Sequence, residues 1–555
     1  LICNAHLDPV WLWEWPEGAA EAISTFRVAV ELCENSHTLV FNHNEAVLYE
    51  HVRLYDPSLF DRIRKQVQAG RWRIMGGWYL QPDCNMPSGE SFVRLILAGR
   101  EYFGRHFGAR PTAAINFDPF GHSRGLVQIM AKSGFRSYLF GRPQQRHCQL
   151  PDGPFVWVGF DGSSVLARRF TGWYSTPLGK GRKTIEARIS QSNNDPEAIL
   201  WGVGNHGGGP SRQDARDIDA MIAQRDDVEI IHSTPEAYFA DVERSQRPLP
   251  RHEGDLNPWA PGCYTSMMRV KRKHRQLENE LYLTEKLASC AAANGLITYP
   301  RADLESAGKD LMFAQFHDIL PGSCNAAAED ASLRLMDHGL EILDRLKARA
   351  FFAMTRTQRQ AREGHIPIIV ANPHPYTVED TVECEFCLPD QCSDGTFTDV
   401  TVLGNGKPIA SQIEQQHSNL ALDWRKRIVF KTRLKPGSVS RFDCTLKVLN
   451  RKPAITRRPR NGFYIFKNDI LDVRVNAATG LVDRYAVAGV NYLTQGAFCP
   501  LVLRDNEDPW EVSATAFGPV AGRFRLMDKT KGSRFSGLKN TIESVRVIEY
   551  GDVRT

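Results

Sequence analysis

The sequence predicts a multidomain protein with an α/β domain built on a parallel sheet or barrel, then a helical bundle, then antiparallel β-sandwich material. Three observations support this prediction. Short β-branched or aromatic runs alternate with amphipathic stretches over about the first 240 residues, long helical patterns follow, and short alternating strands with Gly, Pro and Asn turns occupy the remainder. With 555 residues, 42% of them hydrophobic, the chain is long enough for about two to four domains.

The first domain, residues 1–250, is predicted from a series of strand-like runs. They are LICNAH, TLVFNH, WRIMGGWY, AAINFD, SYLFGR, VLARRF, ILWGVGN and VEIIH. Helical stretches lie between them, such as RGLVQIMAKSG, which Gly134 closes as a C-cap. This alternation is typical of β/α units.

Polar and aromatic side chains follow the predicted strands at their carboxyl ends. They are His6, Asp8, Asn44, Trp78, Asp118, Arg142, Arg168, Arg169, Asn205 and His206. In barrels and open α/β sheets this edge carries the active site. Asp8 stands two residues after His6, so both side chains point to the same side of an extended chain. We therefore expect a shared site at this edge, with His6 and Asp8 as a candidate metal-ligand pair.

The second and third domains are predicted from the change of pattern further along the chain. Between residues 251 and 360, apolar residues recur at spacings of three and four, which predicts a helical bundle. Residues 361–555 are predicted to form β-sandwich domains that are incomplete. Both chain ends look truncated, because the sequence opens within a strand without Met and stops at YGDVRT without a closing element.

Composition excludes several classes of partner. The net charge of +5 is small for this length and the charges are interspersed, so neither nucleic acid nor a membrane surface is expected as a partner. No apolar run approaches the roughly 20 residues that span a bilayer. The twelve cysteines are scattered, which favours a reducing compartment and a cytoplasmic location. A homo-oligomer is compatible with the sequence.

A CxxC motif within CEFCLPDQC, residues 384–392, raises the question of a structural zinc site. Such a site needs a second pair of ligands, and no second CxxC or HxxxH lies nearby. Strand and turn cysteines are the better interpretation.

Two further motifs extend the pair in HLDPVW. INFDPFGHS ends a predicted strand in Asp118, and QFHDILPGS places His317 at the end of a helix that enters a Pro-Gly turn. Together with His6 and Asp8 they would make a mixed His/Asp site. Two imidazoles and two carboxylates suit a divalent cation such as zinc with an open position for substrate.

The motifs HxDxxW, FDxFGHS and QFHDxxPGS, in this order, resemble the α-mannosidases of glycoside hydrolase family 38. The resemblance implies a seven-stranded β/α barrel, a three-helix bundle and C-terminal β domains. It also implies a zinc-dependent, retaining hydrolase that cleaves terminal α-linked mannose from glycans through a covalent mannosyl-aspartate intermediate.

The resemblance implies roles for individual residues. It makes His6, Asp8, Asp118 and His317 the zinc ligands, and Asp118 also the nucleophile. By the same resemblance Trp11 stacks on the sugar, Phe120 lines the site and Asp318 binds sugar hydroxyls. His122, four residues after Asp118, is interpreted as a buried, hydrogen-bonded histidine.

This sequence differs from the family pattern at the position expected for the proton donor. Many relatives carry an aspartate in a glycine-flanked loop, whereas here the matching loop reads GVGNHGGGPSRQD, with Asn205 and His206 in that position. Asparagine has no titrating proton, while an imidazole can serve as acid and base near neutral pH. We therefore assign the role to His206 in preference to Asp214, the nearest downstream carboxylate.

Two other functions remain open at this point. A metal-dependent carbohydrate deacetylase also uses His and Asp ligands on a β/α barrel, but it activates water and needs no carboxylate nucleophile. A catalytically silent sugar-binding protein is suggested by the missing acid at Asn205. A covalent adduct on Asp118 would exclude the first, and release of mannose would exclude the second.

Overall fold

The computed structural model describes residues 1–36, 38–170, 172–191, 196–418, 420–453 and 457–499, with 510, 519–520, 523–524, 542, 544–548, 551 and 553–554. The chain divides into two compact units. Unit 1 is Leu1–Leu281, Arg301–Leu343 and Asn506–Leu526, and unit 2 is Tyr282–Pro300, Asp344–Asp505 and Met527–Thr555. The domain limits expected from the sequence stay predictions.

The strands of the first 252 residues form two sheets. They are β1 Ile2–Cys3, β2 Phe41–His43, β3 Trp72–Ile74, β4 Ala113–Asn116, β5 Ser137–Phe140, β6 Phe155–Val158, β7 Ser164–Arg169, β8 Leu200–Trp201 and β9 Arg251–His252. One sheet has the order β3-β2-β1-β8 and is wholly parallel. The other has the order β4-β5-β7-β6-β9, with β6 antiparallel to β7.

A closed barrel is not found among these described residues. Strand hydrogen bonding does not continue from β3 to β4 or from β7 to β8, so the strands form two open sheets. At the end of β3, Gly76 and Gly77 have φ values of 74° and 76°, a conformation that cannot continue a strand. The closed seven-stranded barrel is therefore not confirmed. VEIIH was wrong as a strand, because residues 228–232 form none.

Helices alternate with these strands, and three further helices follow the last strand of the two sheets. They are α1 Trp15–Asn35, α2 Ala46–Tyr55, α3 Pro57–Gln68, α4 Gly89–Phe107, α5 Leu126–Lys132, α6 Gly181–Ile189, α7 Arg212–Gln224, α8 Pro235–Arg244, α9 Met268–Ala293, α10 Arg301–Ala314 and α11 Ala326–Thr355. Among the helices described, none combines the length and the apolar character needed to cross a membrane.

The last three helices occupy the region where a helical bundle was predicted. An ion pair of 2.6 Å joins Lys273 of α9 to Asp337 of α11, and His338 of α11 lies 2.7 Å from the Asp310 carboxylate of α10. These contacts tie α11 to both other helices. The three-helix bundle as a complete packing arrangement stays a prediction.

The core of unit 1 lies between its sheets and helices. Ile2 of β1, Ile115 of β4, Leu139 of β5 and Leu200 of β8 belong to one buried cluster. This cluster contains residues of both sheets, so its packing fixes the strand ends of one sheet relative to those of the other. It therefore positions the side chains that follow β1, β4 and β8.

Unit 2 contains antiparallel sheets. Its strands are β10 His365–Asn372, β11 Val378–Cys392, β12 Phe397–Gly404, β13 Lys407–Pro408, β14 Ser411–Glu414, β15 Asp423–Leu434, β16 Ser438–Leu449, β17 Phe463–Lys467, β18 Leu471–Asn476, β19 Val482–Val487 and β20 Val490–Asn491. Sheets β10-β16-β12-β13 and β11-β15-β14 share one core that includes Ile368, Val402, Phe430 and Phe442. The CxxC cysteines lie in β11, as the strand interpretation predicted.

We expect Gly99→Ala in α4 to destabilise the protein by about 1–3 kcal/mol, the usual cost of overpacking. A Cβ there would lie 2.3 Å from the backbone carbon of Trp78 and 2.5 Å from the carbonyl oxygen of Gly77, so either the helix or the segment after β3 must shift. A methyl group at Gly104 of the same helix would have no neighbouring atom within 4 Å. Gly104→Ala should therefore stabilise by up to about 1 kcal/mol through helix propensity. Equal thermal melting temperatures for the two variants would contradict this packing.

Candidate active site

Three predicted metal ligands converge in unit 1. His6 and Asp8 follow β1, and His317 follows α10; one ligand atom from each lies within 4.8 Å of the others. Asp8 Oδ1 lies 3.0 Å from His6 Nε2 and 3.3 Å from His317 Nε2. All three residues are buried. The structure thus brings together residues from opposite ends of the unit 1 sequence.

The converging atoms have the chemistry of a cation site. His6 Nε2, Asp8 Oδ1 and His317 Nε2 are buried and have no hydrogen-bond partner of normal geometry. Leaving such atoms without a partner is costly in a folded protein. A divalent cation accepts all three at once, and two imidazoles with a carboxylate are a donor set that zinc favours. The residues present therefore fit a metal ion.

The local charges also favour a cation at this position. Burial disfavours an imidazolium, but the adjacent Asp8 carboxylate and the charge of Asp318 together raise the pKa of His317 to about 10. Burial raises the pKa of Asp318 to about 7, and the Asp8 and Asp118 carboxylates add to that rise. The raised pKa of His317 reflects the carboxylates around it, whose negative charge a bound cation would neutralise.

Asp118 lies at the end of β4, beside the three converging residues but outside that group. Its Oδ1 accepts a short hydrogen bond from Arg142 Nε, and both side chains are buried. The Arg142 guanidinium is enclosed by aromatic rings, with centroids 5.0 Å away for Trp173 and 4.9 Å away for Trp259. The role of Asp118 as fourth ligand and nucleophile stays a prediction.

The predicted sugar-binding residues lie around this centre. Trp11 is partly buried and donates its Nε1–H to the Ser323 carbonyl, 3.1 Å away. Asp318 accepts a hydrogen bond of 2.6 Å from the Ser323 hydroxyl. Phe120 is fully buried and packs edge-on against Trp510, 4.5 Å between centroids. Their contacts with a sugar stay predictions.

The two candidate proton donors, His206 and Asp214, follow β8 and have different surroundings. Asn205 has a φ of 67°, and its backbone N–H donates to the His6 carbonyl, 2.5 Å away. His206 is half exposed, lies 2.7 Å from the Glu17 carboxylate and contacts the edge of the Trp13 ring. Asp214 instead is buried in the first turn of α7.

The Asp214 carboxylate is fully engaged in a structural role. It accepts hydrogen bonds from the backbone N–H groups of Gly179 and Gly181, at 3.0 and 2.8 Å, and from the Ser211 hydroxyl at 2.6 Å. A carboxylate held by three donors stabilises a helix start and the loop before it. These contacts favour His206 over Asp214.

His122 is confirmed as a buried, hydrogen-bonded histidine. Its Nε2 lies 2.8 Å from the Arg142 carbonyl, and its Nδ1 lies 2.8 Å from the Tyr138 hydroxyl. Burial lowers the pKa of His122 to about 4. Both ring nitrogens are therefore engaged away from the predicted metal ligands.

Sequence reasoning missed two residues that contact the site. Arg142 was noticed only as a strand-end residue, although its position after β5, next to β4, could have indicated a contact with Asp118. Gln81 carried no signal, because it lies in an irregular segment between β3 and α4. Its side-chain nitrogen is 3.1 Å from His6 Nδ1.

Comparisons with known proteins relate most of the first 354 residues to one family. The family model described as "Glycosyl hydrolases family 38 N-terminal domain" matches residues 1–261, and "Alpha mannosidase middle domain" matches residues 259–354. Alpha-mannosidase 2C1 of Homo sapiens is 30% identical over 351 residues, which cover 61% of this chain and 34% of that protein. Alpha-mannosidase of Saccharomyces cerevisiae is 27% identical over 342 residues, which cover 58% of this chain and 31% of that protein.

A solved structure resembles the fold over most of this chain. An alpha-mannosidase from Enterococcus faecalis V583 superposes with a TM-score of 0.72 at 18% identity, covering 90% of this chain and 61% of that one. This likeness concerns the fold alone. The matched region spans about a third of the length of the curated relatives. The two consecutive family matches, together with the three motifs and the converging His6, Asp8 and His317, show that the chain belongs to glycoside hydrolase family 38.

Proposed function

We propose that this chain carries the catalytic site of a retaining, zinc-dependent α-mannosidase that removes terminal α-linked mannose from glycans. The observation that carries the proposal is the buried convergence of His6, Asp8 and His317 beside Asp118. The curated relatives that match this chain are named alpha-mannosidases. The names of these relatives indicate mannose as the sugar, and the chemistry is inferred from the residues of the site.

Asp118 is the nucleophile in this proposal. In a retaining glycosidase one carboxylate attacks the anomeric carbon and a second group protonates the leaving oxygen, then activates water. Arg142 holds Asp118 Oδ1 by a charge-assisted hydrogen bond, which fixes the carboxylate while leaving its second oxygen available for attack. The attack forms a bond from Asp118 to the anomeric carbon and breaks the bond to the leaving oxygen.

His6, Asp8 and His317 would hold the metal ion, with Asp118 as the expected fourth ligand. A bound zinc ion would supply Lewis-acid binding of sugar hydroxyls and stabilisation of developing charge. Trp11 would stack on the sugar ring and Asp318 would bind its hydroxyls. Burial of the proposed metal ligands and of Asp318 excludes water from the reacting atoms.

His206 is the proton donor in this proposal, with Glu17 as its partner. The Glu17 carboxylate, 2.7 Å from His206 Nε2, can hold the imidazole in one orientation by a hydrogen bond. Trp13 contacts the same ring and donates its Nε1–H to the Asp8 carbonyl, 3.0 Å away. His206 is therefore linked to the segment that carries the metal ligands.

The activity is tested by incubating the complete protein with an aryl α-mannoside. We expect release of mannose, with the α anomer appearing first in a time-resolved NMR spectrum. A covalent adduct trapped on Asp118 by an activated fluoro-mannoside would exclude a deacetylase. No hydrolysis by metal-loaded protein would contradict the proposal and leave a sugar-binding function.

We expect His206→Ala to slow hydrolysis of a mannose disaccharide by about 10²–10⁴-fold, the range for loss of a general acid. An aryl mannoside with a leaving group of low pKa needs little protonation, so its cleavage should change far less. Asp214→Asn is the control, because its contacts are structural; it should lower thermal stability without favouring one substrate. Equal slowing of both substrates by His206→Ala would contradict the assignment, and selective loss in Asp214→Asn would transfer the role there.

A further inference from the structure

Trp13 contacts two residues to which the proposed function gives neighbouring roles. Its indole lies edge-on to the Trp11 indole, with 5.8 Å between ring centroids, and edge-on to the His206 imidazole, with 4.7 Å between centroids. In the proposed function Trp11 stacks on the mannose that is removed, and His206 protonates the oxygen that leaves. Trp13 is therefore an aromatic side chain placed between the reacting sugar and its proton donor.

Part of the Trp13 side chain is open to solvent. The residue is half-buried, and its two ring neighbours are inclined to it at 74° and 86°, so neither covers a face of the indole by parallel stacking. The side chains of His206 and Glu17 beside it are 49% and 57% exposed. A substrate that extends from the reacting sugar past His206 towards solvent would therefore run along Trp13.

Hydrogen bonds hold Trp13 and its segment in place. The indole Nε1–H donates to the Asp8 carbonyl at 3.0 Å, and the Trp13 carbonyl accepts from the Trp11 N–H at 3.1 Å. The side-chain amide of Asn325 donates to the Leu12 carbonyl at 2.7 Å. A ring that is already fixed loses little conformational freedom when a ligand packs on it, which lowers the cost of binding.

An indole at this position suits a pyranose ring as the leaving group. The faces of a sugar ring present apolar C–H groups, which the negative face of an aromatic ring attracts. A glycosidic bond joins two rings through one oxygen, so the second ring lies directly beyond the oxygen that His206 protonates. A leaving group without a ring would gain nothing from Trp13.

We propose that Trp13 is a substrate-binding residue that forms the site for the leaving-group sugar, and so selects glycans in which the terminal mannose is linked to another pyranose. This inference rests on the proposed function, with His206 as the proton donor. It goes beyond that function by naming the residue that recognises the sugar that leaves.

The test compares Trp13→Ala with Trp13→Phe in the complete, metal-loaded protein. Both substitutions remove the hydrogen bond to the Asp8 carbonyl, but only Trp13→Ala removes the ring. One substrate is the α-linked mannobiose that the wild type cleaves fastest, and the other is α-mannosyl fluoride, whose leaving group has no ring. Trp15→Ala is the control, because this indole is 42% exposed and stacks on His51 instead, with 5.9 Å between centroids.

We expect Trp13→Ala to lower kcat/KM for the mannobiose by about 3–10-fold more than for the mannosyl fluoride, the size of one aromatic contact. Most of this loss should appear in KM, because stacking on a ring that does not react contributes to binding in the ground state and the transition state alike. Trp13→Phe should keep the ratio of the two kcat/KM values within about twofold of the wild type, because phenylalanine retains an aromatic face. Trp15→Ala should leave that ratio unchanged.

An unchanged ratio in Trp13→Ala, or an equal change in Trp13→Phe or Trp15→Ala, would overturn this inference and leave the proposed function intact. A wild type that cleaves mannosyl fluoride but no mannobiose would also overturn it. A wild type that cleaves neither substrate would overturn the proposed function and this inference together. If Trp13→Ala does not fold, Trp13→Leu, which keeps an apolar side chain without a ring, takes its place with the same expected ratio.

Discussion

Asp118→Asn is expected to lower turnover of α-mannosides by about 10³-fold or more, because it removes the group that attacks the anomeric carbon. Asparagine has nearly the same shape and can still contact Arg142, so folding should change little. The measurement is kcat on an aryl α-mannoside, for which leaving-group protonation matters least. The loss should appear in kcat rather than in KM alone.

Bound zinc must be measured in the same variant, since Asp118 is also the expected fourth ligand. If Asp118→Asn retains the metal through His6, Asp8 and His317, the lost turnover reports the nucleophile. Arg142→Lys is the companion variant: it keeps a positive charge near Asp118 but loses the planar guanidinium geometry, so a smaller loss is expected. Product of inverted configuration from the wild type would rule out Asp118 as a covalent nucleophile.

Asp8→Ala should reduce Zn²⁺ affinity by more than about 100-fold, which exceeds the effect of removing a residue that only supports a ligand. Asp8 Oδ1 contacts both imidazoles, 3.0 Å from His6 Nε2 and 3.3 Å from His317 Nε2. Without it, the two imidazoles face each other without a carboxylate between them. Metal analysis and activity before and after dialysis against a chelator provide the measurement.

Adding Zn²⁺ back to stripped protein distinguishes the loss of a metal ligand from a general loss of structure. Wild-type protein stripped by a chelator should regain activity when Zn²⁺ is added, whereas Asp8→Ala should not at the same concentration. Binding should also weaken as the pH falls, because protons compete with the metal for both imidazoles. Full activity of wild-type protein after complete metal removal would show that the His6, Asp8 and His317 convergence has another purpose.

The sequence predicted that two residues of the candidate site lie close together, and it did not predict that the sheets around them are open. The same-side geometry of residues two apart in an extended chain predicted that His6 and Asp8 converge, and this is confirmed by the 3.0 Å approach. His317 could be added only from its motif and from the resemblance, because no local periodicity relates a helix end to β1. The alternation of strands and helices could be anticipated, but the missing hydrogen bonding between β3 and β4 could not, because no pattern in the sequence reports which strand edges pair.

Residues without a local pattern could not be predicted. Gln81 belongs to no helix or strand, and its bond to His317 joins residues 236 apart. The pairing of Arg142 with Asp118 depends on β4 and β5 being neighbours in the sheet. VEIIH shows the opposite error: an apolar, β-branched run resembles a strand, yet it runs past β1 as irregular chain, with Leu1 accepting a hydrogen bond from the Ser233 N–H at 2.8 Å.

The distance in sequence between His6 and His317 has a consequence for biosynthesis. On the ribosome, N-terminal segments fold first as the chain emerges. Asp8 and His6 are then in place, together with β1 to β9, long before His317 has been translated. A nascent chain would therefore present an incomplete set of the proposed ligands, and the proposed metal could be bound fully only after the segment that carries His317 has emerged. Acquisition of the cation would thus be a late event in maturation, and a translation product that stops before His317 could fold its sheets while remaining unable to retain the ion.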